Sequence, residues 1–444
     1  MKKLFGTDGV RGKVNEFLTE ELAENVGRAL GAILTREKAI PRVVIGGDTR
    51  ESYAMLMSAL AKGLTEHGVN VYEVGTLPTP AIAYLTANEN FDAGIMISAS
   101  HNPYEYNGIK IFAGGGFKLS DEKEEEIEQI IYEGRYISNA DAHGKFQRAP
   151  ELLSKYIDYM KTKIPQTKLD IFAVIDCANG SSAATAKEIF SFLGNRTLYL
   201  GVSPDGRNIN DECGSTHLDH LAEKVKELHA DIGIAFDGDA DRFLAIDESG
   251  NEVDGDYILA ILAKSLFEKG KLTHNTVVGT VMTNYGFSKF AEKHGFRFIP
   301  TKVGDRYVLE EIEKCGYALG GEQSGHTIIR EAATTGDGQL TALYLLARMA
   351  ETGKPLSALA DIMQRFPQCT INVNADENGK ALIKNDSRIA AIIDDARIRL
   401  GEDGRILVRP SGTEPVVRIM VESLEPALAK SICEDVSTKI TELL

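Results

Sequence analysis

Residues 43–103 read VVIGGDTRESYAMLMSALAKGLTEHGVNVYEVGTLPTPAIAYLTANENFDAGIMISASHNP and contain a complete alternation of strands and helices. Short β-branched runs predict three strands, at 43–47, 71–74 and 94–97. Amphipathic stretches predict the two intervening helices, at 52–67 and 82–86. Such alternation is typical of βαβ units, which build largely parallel sheets. The sequence therefore predicts an α/β layer here, and the polar segment ISASHNP directly follows its last strand.

The same order of elements recurs twice, so the chain contains an internal repeat. The second copy predicts strands at 172–176, 197–200 and 232–236 and helices at 183–193 and 218–229. The third predicts strands at 277–281, 296–300 and 318–320 and helices at 286–294 and 306–314. The copies end in different polar segments, ISASHNP, FDGDADR and GGEQSGH. Because ligands of open α/β sheets bind beyond the carboxyl ends of the strands, we expect these segments to face one cleft.

The pattern changes after about residue 367. It now predicts strands at 370–373, 405–409 and 416–421 and helices at 386–400 and 426–444, which form a small α+β domain. A chain of 444 residues is too long for one hydrophobic core. We therefore predict three similar mixed α/β domains around a central cleft and a smaller C-terminal α+β domain. The predicted domain ranges are 1–152, 153–254, 255–367 and 368–444.

Composition excludes several classes of function. The chain is 43% hydrophobic and 26% charged, as in ordinary globular enzymes, and its formal net charge of −16 opposes binding to nucleic acid or an anionic membrane. No apolar run approaches the roughly 18 residues that span a bilayer, and the start MKKLFGTDG lacks a signal-peptide core, so we expect a cytoplasmic location. The five cysteines are widely spaced, which predicts free, mostly buried thiols.

The segment FDGDADR carries three acids at alternate positions, Asp237, Asp239 and Asp241. In an extended backbone these side chains project to one side. Magnesium prefers a few carboxylates plus a substrate phosphate to a closed protein cage. We therefore predict that the three aspartates bind magnesium, and a solvated acidic turn is the alternative.

Ser100 is the candidate nucleophile of ISASHNP, because it lies between a buried strand and a turn formed by Asn102 and Pro103. A serine needs a base or a nearby cation to become reactive, and a metal bound by the three aspartates meets that need. An ordinary turn residue is the alternative. In an extended chain His101 points away from Ser100, so we predict no Ser-His-Asp triad.

Two further segments offer hydrogen-bond donors and cations. GGEQSGH supplies candidate ligands of sugar hydroxyls, namely Glu322, Ser324 and His326. RPSGTEP and the strand after it supply candidate ligands of a phosphate, namely Arg409, Ser411, Gly412, Thr413 and Arg418. A glycine-rich turn and a tight hairpin are the respective alternatives. Other basic candidates at strand ends or beside glycines are Arg11, Arg50, Lys110, Lys302 and Arg306.

The ordered set FGTDGVRG, ISASHNP, DGDADR, GEQSGH and RPSGTEP resembles the α-D-phosphohexomutases along the whole chain. The resemblance implies a phosphoserine at Ser100 and one magnesium ion per subunit, bound by that phosphate and the three aspartates. It implies that Lys110 and Arg242 lie near the transferring phosphate and that Glu322 and Ser324 contact the sugar. It also implies that the other phosphate is bound by Arg409, Ser411, Gly412 and Thr413.

GEQSGH and TKVGDR are most similar to the family members that act on glucosamine phosphates, whereas those acting on mannose or glucose phosphates usually carry GEMSGH. The resemblance thus implies an isomerase that interconverts glucosamine 6-phosphate and glucosamine 1-phosphate through glucosamine 1,6-bisphosphate. This activity supplies amino-sugar nucleotide and cell-wall precursor synthesis. Mannose and glucose phosphates are alternative substrates. A homodimer is implied as well, and either a kinase or self-phosphorylation would first load Ser100.

Two other functions remain open from the residues alone. The motif D-G-D after an apolar strand resembles the haloacid-dehalogenase-like phosphatases, in which Asp237 would carry the phosphoryl group. A regulator that binds a phosphosugar without turnover is the other. The phosphorylated residue distinguishes these functions from a phosphoserine mutase.

Overall fold

The computed structural model describes residues 3–6, 8–137, 143–164, 169–411 and 414–444. The chain divides into two compact units. The first unit comprises Met1–Met282 and Phe296–Ile362, and the second comprises Thr283–Gly295 and Met363–Leu444. Within the described ranges, none of the helices combines the length and apolar character that crossing a membrane requires.

The first unit begins with a seven-stranded sheet in the order β1-β2-β6-β5-β3-β4-β7. Its strands are β1 (Phe5–Gly6), β2 (Gly9–Lys13), β3 (Arg42–Gly47), β4 (Asn70–Thr76), β5 (Ala93–Ile97), β6 (Tyr106–Ala113) and β7 (Phe146–Arg148). The associated helices are α1 (Glu20–Glu37), α2 (Tyr53–Glu66), α3 (Thr79–Asn88), α4 (Asp121–Glu133) and α5 (Leu153–Lys161). Strands β3, β4, β5 and β7 run parallel, and β6 is antiparallel to β5.

A second sheet has the order β12-β11-β10-β8-β9. Its elements are β8 (Ala173–Asp176), α6 (Ala186–Ile189), β9 (Thr197–Leu200), α7 (Asp219–Leu228), β10 (Ile232–Phe236), β11 (Phe243–Asp247) and β12 (Glu252–Val253). The prediction of one continuous helix at 183–193 is wrong, because α6 is a single turn between two 3₁₀ turns. The hydroxyls of Ser182 and Thr185 donate to nearby backbone carbonyls, and such bonds compete with a regular helix.

The third sheet has the order β14-β13-β15-β16. Its strands are β13 (Thr276–Thr280), β14 (Arg297–Thr301), β15 (Leu319–Gly321) and β16 (Thr327–Ile329). The helices of this part of the chain are α8 (Gly255–Glu268), α9 (Tyr285–His294), α10 (Asp305–Cys315), α11 (Gly338–Thr352) and α12 (Leu356–Ala360). Among them, α9 belongs to the second compact unit.

The three sheets share one feature that places the polar segments. In each, a parallel strand is followed by an antiparallel neighbour: β5 by β6, β10 by β11 and β15 by β16. ISASHNP, FDGDADR and GGEQSGH extend from the ends of the first strands into these three connections. The prediction of three similar mixed α/β layers is therefore confirmed.

The second unit contains an antiparallel sheet in the order β17-β19-β18. Its elements are β17 (Gln368–Asn374), α13 (Glu377–Asn385), α14 (Ser387–Leu400), β18 (Gly404–Pro410), β19 (Val416–Ser423) and α15 (Pro426–Thr441). Val417, Ile419 and Ile432 are fully buried in its separate hydrophobic core. This sheet and its helices confirm the predicted small α+β fold, while the four domain ranges stay predictions.

Candidate active site

Ser100 lies at the start of the connection between β5 and β6, where Asn102 N–H donates to the carbonyl of Ala99 and begins a turn. Ser100 is 1% exposed, and its φ of 53° is in the left-handed region that few non-glycine residues adopt. Its hydroxyl donates to Oδ2 of Asp237 at 2.5 Å. The first and second sheets therefore meet at the candidate nucleophile.

The expectation that His101 points away from Ser100 is wrong. His101 Nδ1 lies 3.4 Å from Ser100 Oγ, because the left-handed backbone at Ser100 replaces the extended chain that the expectation assumed. Burial, followed by the charges of Arg242 and Arg11, lowers the pKa of His101 to about 4. His101 is therefore neutral at pH 7, and the Ser100 hydroxyl directs its proton to Asp237.

Asp237, Asp239 and Asp241 form a compact carboxylate cluster in a turn, not in the extended segment that their alternation predicts. Ala240 has a φ of 56°, and this turn brings one oxygen of each aspartate within 4.8 Å of the others. All three side chains are buried. Burial, followed by the charges of Asp241 and Asp239, raises the pKa of Asp237 well above its usual value.

The carboxylate cluster fits a divalent cation. Oδ1 of Asp239 and Oδ1 of Asp241 are buried and have no hydrogen-bond partner in the described structure. Buried, unpaired carboxylate oxygens are energetically costly, and hard oxygen ligands are what such a cation prefers. The cluster therefore has the oxygen donors and the burial of a metal site, and two of its oxygens have no hydrogen bond.

Two cations surround this cluster at different depths. Lys110 is 1% exposed, and its Nζ lies 2.8 Å from Asp239, 3.2 Å from Asp241 and 2.9 Å from Asp8. Burial opposes its charge, but these carboxylates raise the pKa of Lys110 well above its usual value. The backbone N–H of Arg242 donates to Asp237 Oδ1 at 3.2 Å, and the side chain of Arg242 is 24% exposed. Arg242 is therefore the more accessible of the two cations.

Three members of this charge network were missed by sequence analysis: Asp8, Lys118 and Asp305. Asp8 contacts Arg11 at 2.6 Å, Lys110 at 2.9 Å and Lys118 at 2.5 Å, and Lys118 also pairs with Asp305. Asp8 could have been found from the sequence, because it is the acid in FGTDGVRG, three positions before Arg11. Nothing in the local sequence around Lys118 predicts its contact with Asp305, which is 187 positions away.

The connection between β15 and β16 contains the candidate sugar ligands. His326 is 3% exposed, with Nδ1 3.6 Å from Asp241 and Nε2 3.4 Å from Asp305. Burial opposes its protonation, but the charges of these aspartates raise the pKa of His326 above its usual value. His326 thus links the carboxylate cluster to the start of α10. Glu322 and Ser324 lie half-buried in the same turn.

The candidate phosphate residues Arg409, Ser411 and Arg418 belong to the second unit. Arg409 on β18 is the cross-strand partner of Arg418 on β19. Burial, followed by the charge of Arg418, lowers the pKa of Arg409. Arg418 pairs with Glu414, whose N–H donates to Ser411 Oγ at 3.2 Å. Like charges directly opposite on a sheet are unfavourable, so this pair favours a bound anion.

Within the first unit, the contacts described above connect Ser100, Lys110, Arg242, Arg11, His326 and the three aspartates in one network. Arg409, Ser411 and Arg418 belong to the second unit. Gly412 and Thr413, also predicted to bind phosphate, lie outside the described residues.

Comparison with known protein families gives a match for nearly the whole chain. Residues 2–137, 154–250 and 254–366 match the three alpha/beta/alpha domains, I, II and III, of the phosphoglucomutase/phosphomannomutase family. Residues 371–439 match the C-terminal domain of the same family. The four matches follow the order of the four sheets.

Curated relatives match over their full length. Phosphoglucosamine mutase of Caldicellulosiruptor saccharolyticus is 48% identical over 449 residues, which cover 100% of this chain and 100% of the relative. Phosphoglucosamine mutase of Bacillus subtilis is 47% identical over 448 residues, with 100% and 98% coverage.

Solved structures share the fold at lower identity. A phosphoglucomutase/phosphomannomutase family protein from Burkholderia thailandensis has a TM-score of 0.83 at 24% identity and covers 99% of this chain and 97% of its own. N-acetylphosphoglucosamine mutase of Aspergillus fumigatus, solved with GlcNAc-6P and magnesium, has a TM-score of 0.67 at 18% identity, with 99% and 95% coverage. At these sequence identities, the two structures show only that the fold is shared.

Proposed function

The chain belongs to the phosphoglucomutase/phosphomannomutase family, and from that premise we propose that it interconverts glucosamine 6-phosphate and glucosamine 1-phosphate. The observation that carries the chemistry is the 2.5 Å hydrogen bond from the Ser100 hydroxyl to Asp237, inside the cluster of three buried aspartates. The amino sugar as substrate is supported by full-length relatives named phosphoglucosamine mutase at 47–48% identity.

Ser100 is carried as a phosphoserine in this mechanism. It donates its phosphoryl group to the free hydroxyl of a hexosamine monophosphate, which leaves glucosamine 1,6-bisphosphate and an unmodified serine. The bisphosphate turns end for end, and its other phosphoryl group returns to Ser100. The bisphosphate is therefore both intermediate and primer, and the cycle consumes no phosphate.

Phosphoryl transfer requires alignment and stabilisation of charge more than covalent help from the protein. One magnesium ion per subunit, bound by Asp237, Asp239, Asp241 and the phosphate on Ser100, would neutralise charge on the transferring group. Lys110 offsets the aspartates from the buried side. Arg242, whose side chain is partly exposed, would contact the phosphoryl oxygens.

The rest of the substrate needs two kinds of contact. Because the bisphosphate binds in two orientations, few contacts to the sugar are the same in both. We assign the contacts that are shared to Glu322 and Ser324. The phosphate that is not transferred is assigned to Arg409 and Ser411, and the unfavourable cross-strand pair of Arg409 with Arg418 supports that assignment. The sequence adds Gly412 and Thr413 to the phosphate ligands, Arg11 to the substrate-binding residues and His326 to the sugar ligands.

Further parts of the proposal concern the cellular setting. The five cysteines are free thiols, which suits a reducing, cytoplasmic compartment. A homodimer, and a kinase or self-phosphorylation as the first source of the Ser100 phosphate, complete the proposal. Light scattering measures the oligomeric state. Incubation of the purified protein with ATP, with and without a cell extract, separates self-phosphorylation from phosphorylation by a kinase.

Peptide mass spectrometry tests the mechanism. The purified protein and a Ser100→Ala variant are incubated with magnesium and glucosamine 1,6-bisphosphate, and the phosphorylated peptide is identified. One phosphate on the Ser100 peptide, absent from the variant, is the expected result. Phosphate on Asp237 would indicate a phosphatase of the aspartyl type, and phosphate on neither would indicate a binding protein without turnover.

Steady-state kinetics tests the substrate. We expect kcat/KM to be higher for glucosamine 6-phosphate than for glucose 6-phosphate or mannose 6-phosphate in assays that share one bisphosphate-primed preparation. A preference for either neutral sugar would leave the phosphoserine mechanism intact and replace the amino sugar as the substrate.

A further inference from the structure

Arg50 has an unusual set of partners beside the candidate nucleophile. Its side chain is fully buried, and its Nε donates to Asp48 Oδ2 at 2.9 Å. Its Nη2 donates to the carbonyls of Ser100 at 3.0 Å and Asn102 at 2.7 Å. Its Nη1 donates to the carbonyls of Tyr106, at 3.0 Å, and Pro103. One guanidinium therefore binds four carbonyls of the segment that carries Ser100.

Ser98 holds the other side of the Ser100 peptide. Its hydroxyl accepts the Ser100 N–H at 2.9 Å and donates to Asp48 Oδ2 at 2.5 Å. Asp48 Oδ1 also accepts the backbone N–H of Arg50 at 3.1 Å. Asp48 thus hydrogen-bonds both Ser98, which binds the Ser100 N–H, and Arg50, which binds the Ser100 carbonyl.

Asn210, between β9 and α7 of the second sheet, also binds the carbonyl of Ser100. Its Nδ2 donates to Ser100 O at 2.9 Å and to Asn102 O at 3.1 Å, and the residue is 6% exposed. We call Arg50, Asp48, Ser98 and Asn210 the Ser100 clamp. The clamp fixes the backbone of Ser100, while the side chain of Ser100 reaches Asp237.

The conformation of Ser100 explains why a clamp is needed. A left-handed serine is strained, and such a backbone persists only where its surroundings determine it. If the strain relaxed, φ would change sign and the Oγ atom would move away from Asp237. The sequence singled out Arg50 only as a basic candidate, and its guanidinium is occupied by backbone carbonyls and by Asp48.

We infer that the Ser100 clamp is a positioning device for phosphoryl transfer, which holds the Ser100 oxygen in line in both half-reactions without touching the substrate. The inference rests on the proposed function, because it assumes that Ser100 carries the phosphoryl group. A device of this kind acts on the rate of transfer and not on affinity for the phosphosugar. Weakening it should therefore lower kcat and leave KM nearly unchanged.

Ser98→Ala is the main test, because it removes both side-chain bonds of Ser98 with the smallest change of volume. Its control is Ser182→Ala, at an equally buried serine whose hydroxyl donates to the carbonyl of Cys177. Arg50→Lys is the second variant, since a lysine keeps the charge but lacks the donors for four carbonyls. If Arg50→Lys does not fold, Ser98→Ala decides the question.

The primary measurement is the single-turnover rate of Ser100 phosphorylation by glucosamine 1,6-bisphosphate, with kcat and KM measured in parallel. We expect Ser98→Ala to lower the phosphorylation rate and kcat by ~10- to 100-fold and to change KM by less than about twofold. Ser182→Ala should match the wild type in these rates. Circular dichroism at the assay temperature should show both variants folded, so that the difference in rate is not a difference in folding.

Three results would overturn the inference. The first is phosphorylation of Ser100 in Ser98→Ala at the same rate as in Ser182→Ala, and the second is a defect of Ser98→Ala in KM alone. Either result removes the clamp from catalysis while the proposed function stands. A wild-type protein that acquires no phosphate on Ser100 would overturn the proposed function and the clamp together.

Discussion

At the scale of single residues, the site contains several charged side chains in a buried space. Three aspartates lie close enough together to bind one cation, and the buried Lys110 forms ion pairs with two of them. Sequence analysis found these residues because their types and spacing are local. It missed Asp8 and Lys118, because their roles depend on contacts between distant parts of the chain.

Arg242→Ala should lower kcat by about 100-fold and change KM little, since the guanidinium would stabilise charge that develops during transfer. Steady-state kinetics with glucosamine 6-phosphate measures both constants, and Arg242→Lys, which keeps the charge without the planar donors, should lose less activity. A raised KM at unchanged kcat would place Arg242 in substrate binding.

Arg409→Ala should chiefly raise KM, because the retained phosphate contributes much of the affinity in both orientations. The loss of one bidentate contact corresponds to about 1.5–3 kcal/mol, or roughly 10- to 100-fold in KM. Arg397→Ala, at an exposed arginine paired with Asp394 in the same unit, is the control. An unchanged KM would remove Arg409 from the phosphate site.

At the scale of elements, the turn after β10 must approach the connection after β5 very closely. A Cβ on Gly238 would lie 2.6 Å from Ser100 O and 2.9 Å from Asn210 Nδ2, closer than non-bonded atoms come. The small residue in D-G-D therefore has a structural cause that the sequence alone did not reveal, which is contact with another sheet.

Gly238→Ala should separate these two connections, lower kcat at least ~10-fold and destabilise the fold by about 1–3 kcal/mol through overpacking. Gly115→Ala is the matched control, because a Cβ there meets its nearest atom, on Phe117, at 3.4 Å. Turnover and urea denaturation are the measurements. Wild-type kcat in Gly238→Ala would show that the close approach is dispensable.

Asp337 caps the N-terminus of α11 and accepts a hydrogen bond from Tyr156 at 2.9 Å. Burial raises the pKa of Asp337 to about 6. Between about pH 4 and 6 the folded chain keeps this proton while the unfolded chain loses it. The free energy of unfolding should therefore fall as pH rises through this range, by on the order of 3 kcal/mol.

The Asp337→Asn variant should lack this share of the pH dependence, because an amide fills the same position without titrating. Urea denaturation between pH 4 and 7 measures it. Asp254→Asn replaces another buried N-cap, at α8, and controls for the loss of a charge at a helix N-terminus. Equal pH profiles of the wild type and Asp337→Asn would show that Asp337 is not the source of this pH dependence.

At the scale of the whole molecule, metal binding should couple to stability, because buried carboxylates that repel one another in the folded chain separate on unfolding. Magnesium at 100 times its Kd should raise the free energy of unfolding by about 2.7 kcal/mol and raise the Tm accordingly. Thermal denaturation with magnesium, with EDTA and with sodium chloride of equal ionic strength measures this. In Asp239→Asn the shift should be strongly reduced, and a full shift would place the cation elsewhere.

Sequence patterns were enough to predict the family, the three mixed α/β layers, the small α+β unit and the polar segments at the strand ends. These follow from periodicity and from residues close together in the chain, which is why the strands at 43–47 and 232–236 are confirmed within one residue. Which residues come into contact depends on how distant segments pack. The left-handed Ser100, the approach of His101 and the partners of Arg50 and Lys118 all arise from such packing, whose energetics no local pattern encodes.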